Sequence, residues 1–102
     1  MESNRAVDES VLQPTRFKIV TLLKKAGAPL YIEQIARDVG ESSRLTAHHL
    51  ELLEELGLVK SEFGIIKDAT RPVAGRFFET TKKADEVLER LRMRIPEGPR
   101  ND

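Results

Sequence analysis

A mainly α-helical domain carrying one small antiparallel β-hairpin is the fold class this sequence predicts. Three observations predict it. Apolar residues recur every three or four positions in several stretches between Pro14 and Ile95, the period of a helix that buries one face. Two runs, LVKSEFGII and GRFFETT, are instead rich in β-branched and aromatic residues, and KDATRPVAG separates them, which is the pattern of a hairpin with a long tip. The chain has 102 residues, 39% of them hydrophobic, enough for one domain with a modest core.

The elements follow in order. Residues 1–10 are polar and are expected to be a partly disordered segment, with the folded domain over 11–95. A helix is predicted over Pro14–Ala26: proline suits a first helical turn, and Phe17, Ile19, Val20, Leu22 and Leu23 supply a wide apolar face. Val7, Val11 and Leu12 either extend it upstream or form a separate short helix. Gly27 is available for a left-handed cap. Ile32, Ile35, Ala36 and Val39 mark a short second helix that Gly40 ends. Ser42 is placed to cap a third helix running to about Leu56 and closing on Gly57. After the hairpin, Val87, Leu88, Leu91 and Ile95 mark a last helix over 82–95, stopped by Pro96, and 96–102 are expected to be a disordered tail. A short helix and a longer one about a glycine turn, followed by a hairpin, make a winged helix-turn-helix.

Composition narrows the function. Seventeen basic residues balance seventeen acidic ones, so global charge gives no support for nucleic-acid binding, and only local distribution can. No cysteine is present, which removes disulfides, thiol nucleophiles and thiolate metal sites. No apolar run approaches the roughly 20 residues that span a bilayer, and the amino terminus lacks the order of a signal peptide. A soluble cytoplasmic protein without membrane contact is expected. An enzyme is not: the sequence offers no phosphate-cradling glycine loop, no metal triad and no carboxylate pair on one rigid face. No cofactor is implied.

The stretch TRFKIVTLLKKAGAPLYIEQIARDVGESSRLTAHHLELLEELGLV resembles the ArsR-type winged-helix transcription regulators of bacteria and archaea, and RFFETTKKADEVLERL resembles their second wing strand and last helix. The resemblance spans about Thr15 to Leu91. It implies a DNA-binding regulator, with EQIARDVG as supporting helix and the segment beginning at Ser42 as recognition helix. This chain departs from the metal-sensing members in having no thiolate in the supporting helix. It carries Ala47 where a serine is frequent, and its wing segment from Gly64 to Gly75 is longer than usual.

The third helix can be divided by geometry. At about 100° per residue, Leu45, Thr46, His49, Leu50, Leu52, Leu53 and Leu56 fall on the core side, while Ser43, Arg44, Ala47, His48 and Glu51 turn outward. The chain's two histidines are thereby separated: neighbours on a helix do not face each other, so His48 and His49 are not expected to share a metal ion. His49 reads as a packed residue with one hydrogen bond, and His48 as a groove contact. Ser42 reads as a cap that also reaches phosphate. Arg44 suits bidentate contact with guanine or a phosphate.

Glu41–Gly57 carries a net charge of −3, which is tolerable only with Glu54 and Glu55 facing solvent; Glu51 stays awkward. Lys60–Lys83 carries +3 and offers Lys67, Arg71 and Arg76 to the DNA backbone or minor groove. Phe63, Phe77 and Phe78 read as hairpin core. The predicted DNA-contacting set is Ser42, Ser43, Arg44, Ala47, His48, Lys67, Arg71 and Arg76. The predicted homodimer seam is Val7, Val11, Leu12, Val87, Leu88, Leu91 and Ile95. The partner is double-stranded DNA, read by a two-fold protein. A winged helix that binds protein, as an adaptor without DNA, is the competing reading, favoured by neutral charge and the acidic third helix.

Overall fold

Gln13 and Pro14 set the first boundary. The Gln13 side chain accepts from the Arg16 N–H at 2.8 Å, and proline, with no N–H, starts a helix at no cost there. The computed structural model, which describes residues 2–67 and 71–94, therefore has two helices at the front: α1 (Glu2–Val11) and α2 (Pro14–Ala26). They are followed by β1 (Leu30–Tyr31), α3 (Ile32–Val39), α4 (Ser43–Glu55), β2 (Val59–Ile66), β3 (Val73–Thr80) and α5 (Lys82–Arg94). The mainly helical winged helix-turn-helix is as the sequence predicts.

Helix α1 corrects the expectation of a partly disordered polar segment over 1–10 and selects the separate-helix alternative. Its cause is amphipathy hidden by composition: Val7 and Val11, four apart, turn inward, and Asp8 is buried with them. Between α3 and α4 the chain turns at Gly40, whose φ of 80° is open to glycine at little cost.

The sheet has three strands in the order β1-β3-β2, all antiparallel. The hairpin was predicted; β1 was not. Leu30 and Tyr31 pair with Phe78 and Phe77, and the Tyr31 and Phe77 rings meet edge to face, with centroids 5.7 Å apart. The ladder runs from Val59↔Thr80 out to Ile66↔Val73, so strand pairing continues well into the stretch expected to be loop. Gly64 is where Phe77 folds across the sheet: a Cβ added there would lie 2.9 Å from its ring.

The core gathers Ile19, Val20 and Leu23 of α2, Ile35 of α3, Leu50 and Leu53 of α4, Leu58, Val59 and Phe78 from the hairpin, and Ala84, Val87 and Leu91 of α5. Phe63 corrects the expectation of a hairpin core. It is 79% exposed: its partner in the ladder is Arg76, two pairs beyond the point where Phe78 meets the helices. Among the described residues no helix is long and apolar enough to cross a membrane.

Three members of the predicted dimer seam are corrected as well. Val11, Val87 and Leu91 are buried within the single chain, so they close its own core and have no surface left for a second copy. Val7 and Leu88 are half-buried against that core, and Leu12 is exposed. Ile95 and the tail 96–102 lie outside the described residues.

Candidate nucleic-acid interface

Helix α4 is built to leave its front end open. Ser42 has an extended backbone (φ −69°, ψ 156°), and its hydroxyl accepts from the Leu45 N–H at 3.1 Å, satisfying one of the free donors of the first turn. At the other end Lys83 donates from Nζ to the Leu56 carbonyl at 2.8 Å, placing a cation at the negative pole of the helix. Burial begins at Thr46 and continues through His49, Leu50 and Leu53. Ahead of that line, Ser42, Ser43, Arg44 and His48 are exposed and Ala47 is half-buried.

Leu45 departs from its predicted core position: it is 39% exposed. The apolar ladder Thr46–Leu50–Leu53 holds the helix, and Leu45 lies one residue before it. Sequence periodicity missed this residue as a surface group, and the signal was only that it falls within the first turn.

The wing divides the predicted cations. Lys67 and Arg71 are exposed, at either side of residues 68–70, which lie outside the described set. Arg76, also expected at the DNA, is instead turned toward α4. Its guanidinium pairs with Glu54 of α4, donates to the Ser61 hydroxyl of β2 at 2.9 Å, and lies 4.9 Å over the Phe78 ring. Ser61 in turn donates to Glu54 at 2.9 Å. Glu54 was expected to face solvent; it is half-buried and charge-paired. The pairing lowers the uncompensated negative charge on α4, leaving Glu51 and Glu55 exposed on its rear half. It also ties recognition helix to wing.

The histidines separate as predicted. His48 is exposed and His49 only 6% exposed, with ring centroids 5.6 Å apart and planes tilted by 60°. His49 Nδ1 lies 3.2 Å from Arg16 Nη1. Burial, the Arg16 cation and His48 together hold the His49 pKa below its ordinary value, with Glu41 pulling weakly the other way. No cluster of three or more His, Cys, Asp or Glu side chains able to hold a metal ion occurs among the described residues.

A capped, outward helix front follows a supporting helix and a glycine turn, with a sheet wing tied behind it, and residues 13–61 match the model of the bacterial regulatory protein, arsR family. Over that stretch the chain is similar to the arsR family. The matched family is one of bacterial regulatory proteins. No curated protein matches the sequence. Among solved structures, the chain is similar to the homodimeric winged helix-turn-helix DNA-binding domain of a possible ArsR-family transcriptional regulator from Mycobacterium bovis. The TM-score is 0.65 at 18% identity, over 90% of this chain and 77% of that one. It is also similar to a MarR-family transcriptional regulator from Silicibacter pomeroyi, with TM-score 0.63 at 19% identity over 90% of this chain. There it spans 60% of the other protein's length. At these identities the likeness is one of fold.

Proposed function

We propose that this domain is a homodimeric, sequence-specific regulator of transcription acting in the cytoplasm, with the front of α4 in the major groove and the wing tip on the backbone or in the minor groove. The observation that carries the reading is the open first turn of α4: a helix N-terminus with Ser43, Arg44 and His48 all exposed, and Arg44 in no ion pair among the described residues. Recognition helices present this part to base edges, and arginine there reads guanine bidentately. Ala47 and exposed Leu45 supply apolar contact of the kind made with thymine methyls. Ser42 serves phosphate beside its capping role, and Lys67 and Arg71 serve the backbone.

The homodimer is supported by the homodimeric state of the Mycobacterium bovis domain and by exposed or half-buried apolar groups on the two terminal helices: Leu12 beside α1, Val7 on it, and Leu88 and Met93 on α5. Two copies would present two recognition helices to half-sites one helical turn apart.

The test is duplex selection from random DNA followed by titration across salt. Wild-type affinity should fall steeply with ionic strength. Arg44→Ala should cost about 1–3 kcal/mol and relax preference at one base position, whereas Arg71→Ala should weaken all sequences alike and lower the salt slope by about 1. A folded dimer with negligible affinity for any duplex at low salt would establish the protein-binding adaptor instead.

A further inference from the structure

Arg16 joins three elements. Its backbone N–H donates to the Gln13 side chain at the start of α2, and its Nε donates to the Ser10 carbonyl of α1 at 2.6 Å. Its Nη1 meets Nδ1 of His49, midway along α4, at 3.2 Å. A guanidinium has donors and no acceptor, so Nδ1 must accept, and the imidazole must be neutral with its proton on Nε2.

We propose that Arg16 is a positioning residue for the recognition helix, acting through neutral His49, and that proton uptake by His49 undoes the tie. The meaning of the tie for DNA rests on the reading of α4 given above; the tie itself does not.

The chemistry is direct. A proton arriving at Nδ1 turns the acceptor into a donor facing a donor, and sets an imidazolium against a guanidinium. The ring is 6% exposed, so little water screens the two cations. The charged groups that act on the ring are Arg16 from α2 and His48 from α4, which oppose the proton, and Glu41 from the α3–α4 turn, which favours it. From α1 comes the uncharged Ser10 carbonyl, holding Arg16 on its far side. Acid therefore breaks one bridge between α1 and α4 while leaving the apolar core intact.

The bridge is placed where rotation of α4 matters. His48 precedes it by about 100° around the helix, on the exposed side, so the ring of His49 fixes the direction in which the neighbouring side chain points. Without the bridge α4 keeps Leu50 and Leu53 in the core and its Glu54–Arg76 tie near the rear, while its front half gains freedom to turn. A protonated ring also repels the guanidinium that the Ser10 carbonyl holds, so the α1 end of the bridge feels the same proton.

Imidazole nitrogen NMR on the wild-type protein, followed from about pH 8 to about pH 5, tests the inference. Nδ1 of His49 should show the shift of an unprotonated acceptor and Nε2 that of a protonated nitrogen. His49 should take up its proton below the ordinary histidine value, and amide protection of Ser10 to Leu12 should fall as it does so. His49→Asn keeps an acceptor oxygen near the place of Nδ1 without titrating there, so protection in that variant should not change over the same range. In Arg16→Met the protection should be low throughout.

A proton on Nδ1 at about pH 8, proton uptake by His49 at or above the ordinary histidine value, or the same pH profile in wild type and His49→Asn would overturn the inference. The tautomer is read on the wild type, so a variant that fails to fold does not blind the test. A mixed-sequence duplex titrated in parallel separates the two readings. Intact tautomer and protection profile with no duplex binding at any pH would fault the proposed function and uphold the tie. Duplex binding with a protonated Nδ1 would remove the tie alone.

Discussion

Asp8 of α1 and Arg90 of α5, 82 residues apart, close the two ends of the fold with a bidentate pair: Nε to Oδ2 at 3.1 Å and Nη2 to Oδ1 at 2.9 Å. The Asp8 side chain is 5% exposed and that of Arg90 37%. Fork geometry gives two parallel charge-assisted bonds, and the hydrogen bond to Asp8 is the main cause holding the Arg90 pKa above its ordinary value. Both termini thus share one ionic anchor beside the apolar contacts of Val11, Val87 and Leu91.

Arg90→Ala strips the guanidinium from a carboxylate that is almost fully enclosed, which is the costly way to break such a pair. It should lower the melting temperature by several degrees in circular dichroism. Arg5→Ala is the control on the same helix: its pair with Glu9 spans 3.8 Å with both side chains largely exposed, and exposed pairs contribute little. Equal losses in the two variants would show that the Asp8 pair adds nothing beyond surface electrostatics.

The bond between Glu54 and Arg76 gives a second expectation. Their side chains are 35% and 32% exposed, so solvent screens them in part. Glu54→Arg and Arg76→Glu should each destabilise, and the double exchange should recover a coupling of about 1 kcal/mol in a double-mutant cycle. Arg76→Lys keeps charge but loses the planar group that reaches Glu54 and Ser61 and covers Phe78, and it should destabilise too. Because Arg76 is turned to Glu54, Arg76→Lys should leave the salt slope of duplex binding unchanged. A reduced slope would return Arg76 to the DNA surface.

Much of this molecule was legible in the sequence, and what was not has identifiable causes. Helices α2, α3, α4 and α5 carry apolar residues at a sustained period, so their existence and order followed from pattern alone. Helix α1 was obscured because Val7 and Val11 are two apolar residues among polar ones, and its stability comes from α2 and α5, not from itself. Strand β1 has two residues, too few for alternation to register. Phe63 and Leu45 were misassigned for one reason: a period tells which face a residue occupies, not how far along that face the neighbouring element extends. Val11, Val87 and Leu91 show the same limit, since a stripe that closes its own core and a stripe that meets a second copy look alike in sequence. The pairs Arg16–His49, Glu54–Arg76 and Asp8–Arg90 join residues 33, 22 and 82 positions apart, and no local signal announces them.

Thr46 offers a test of hydrogen-bond satisfaction inside α4. Its hydroxyl is buried with no partner among the described residues, while its backbone N–H is satisfied by the Ser42 carbonyl at 2.9 Å. A buried hydroxyl without a partner keeps its desolvation cost. Thr46→Val removes it at nearly constant shape and should stabilise the fold by about 1 kcal/mol, read as a higher urea midpoint with unchanged m-value. Thr46→Ser keeps the hydroxyl and loses a buried methyl, and should destabilise. Stabilisation by serine, or loss of stability with valine, would mean that the hydroxyl has a partner.

The His49 pKa, lowered by burial first and then by Arg16 and His48, fixes the sign of one pH dependence. The unfolded chain takes up this proton near the ordinary value of about 6.5, and the folded chain takes it up only at lower pH. Between the two, the unfolded state binds more protons, so stability rises with pH in that window. The contribution of neutral His49 is therefore complete above about pH 6.5, declines as the pH falls below it, and levels off once the folded protein is protonated as well. Carboxylates add their own acid sensitivity below about pH 5, so the comparison belongs above that. Urea midpoints for wild type and His49→Asn should converge, or cross in favour of the variant, on going from about pH 7.5 to about pH 5. A wild type that gains stability relative to His49→Asn on acidification would require a raised His49 pKa, and with it an imidazolium that Arg16 does not repel.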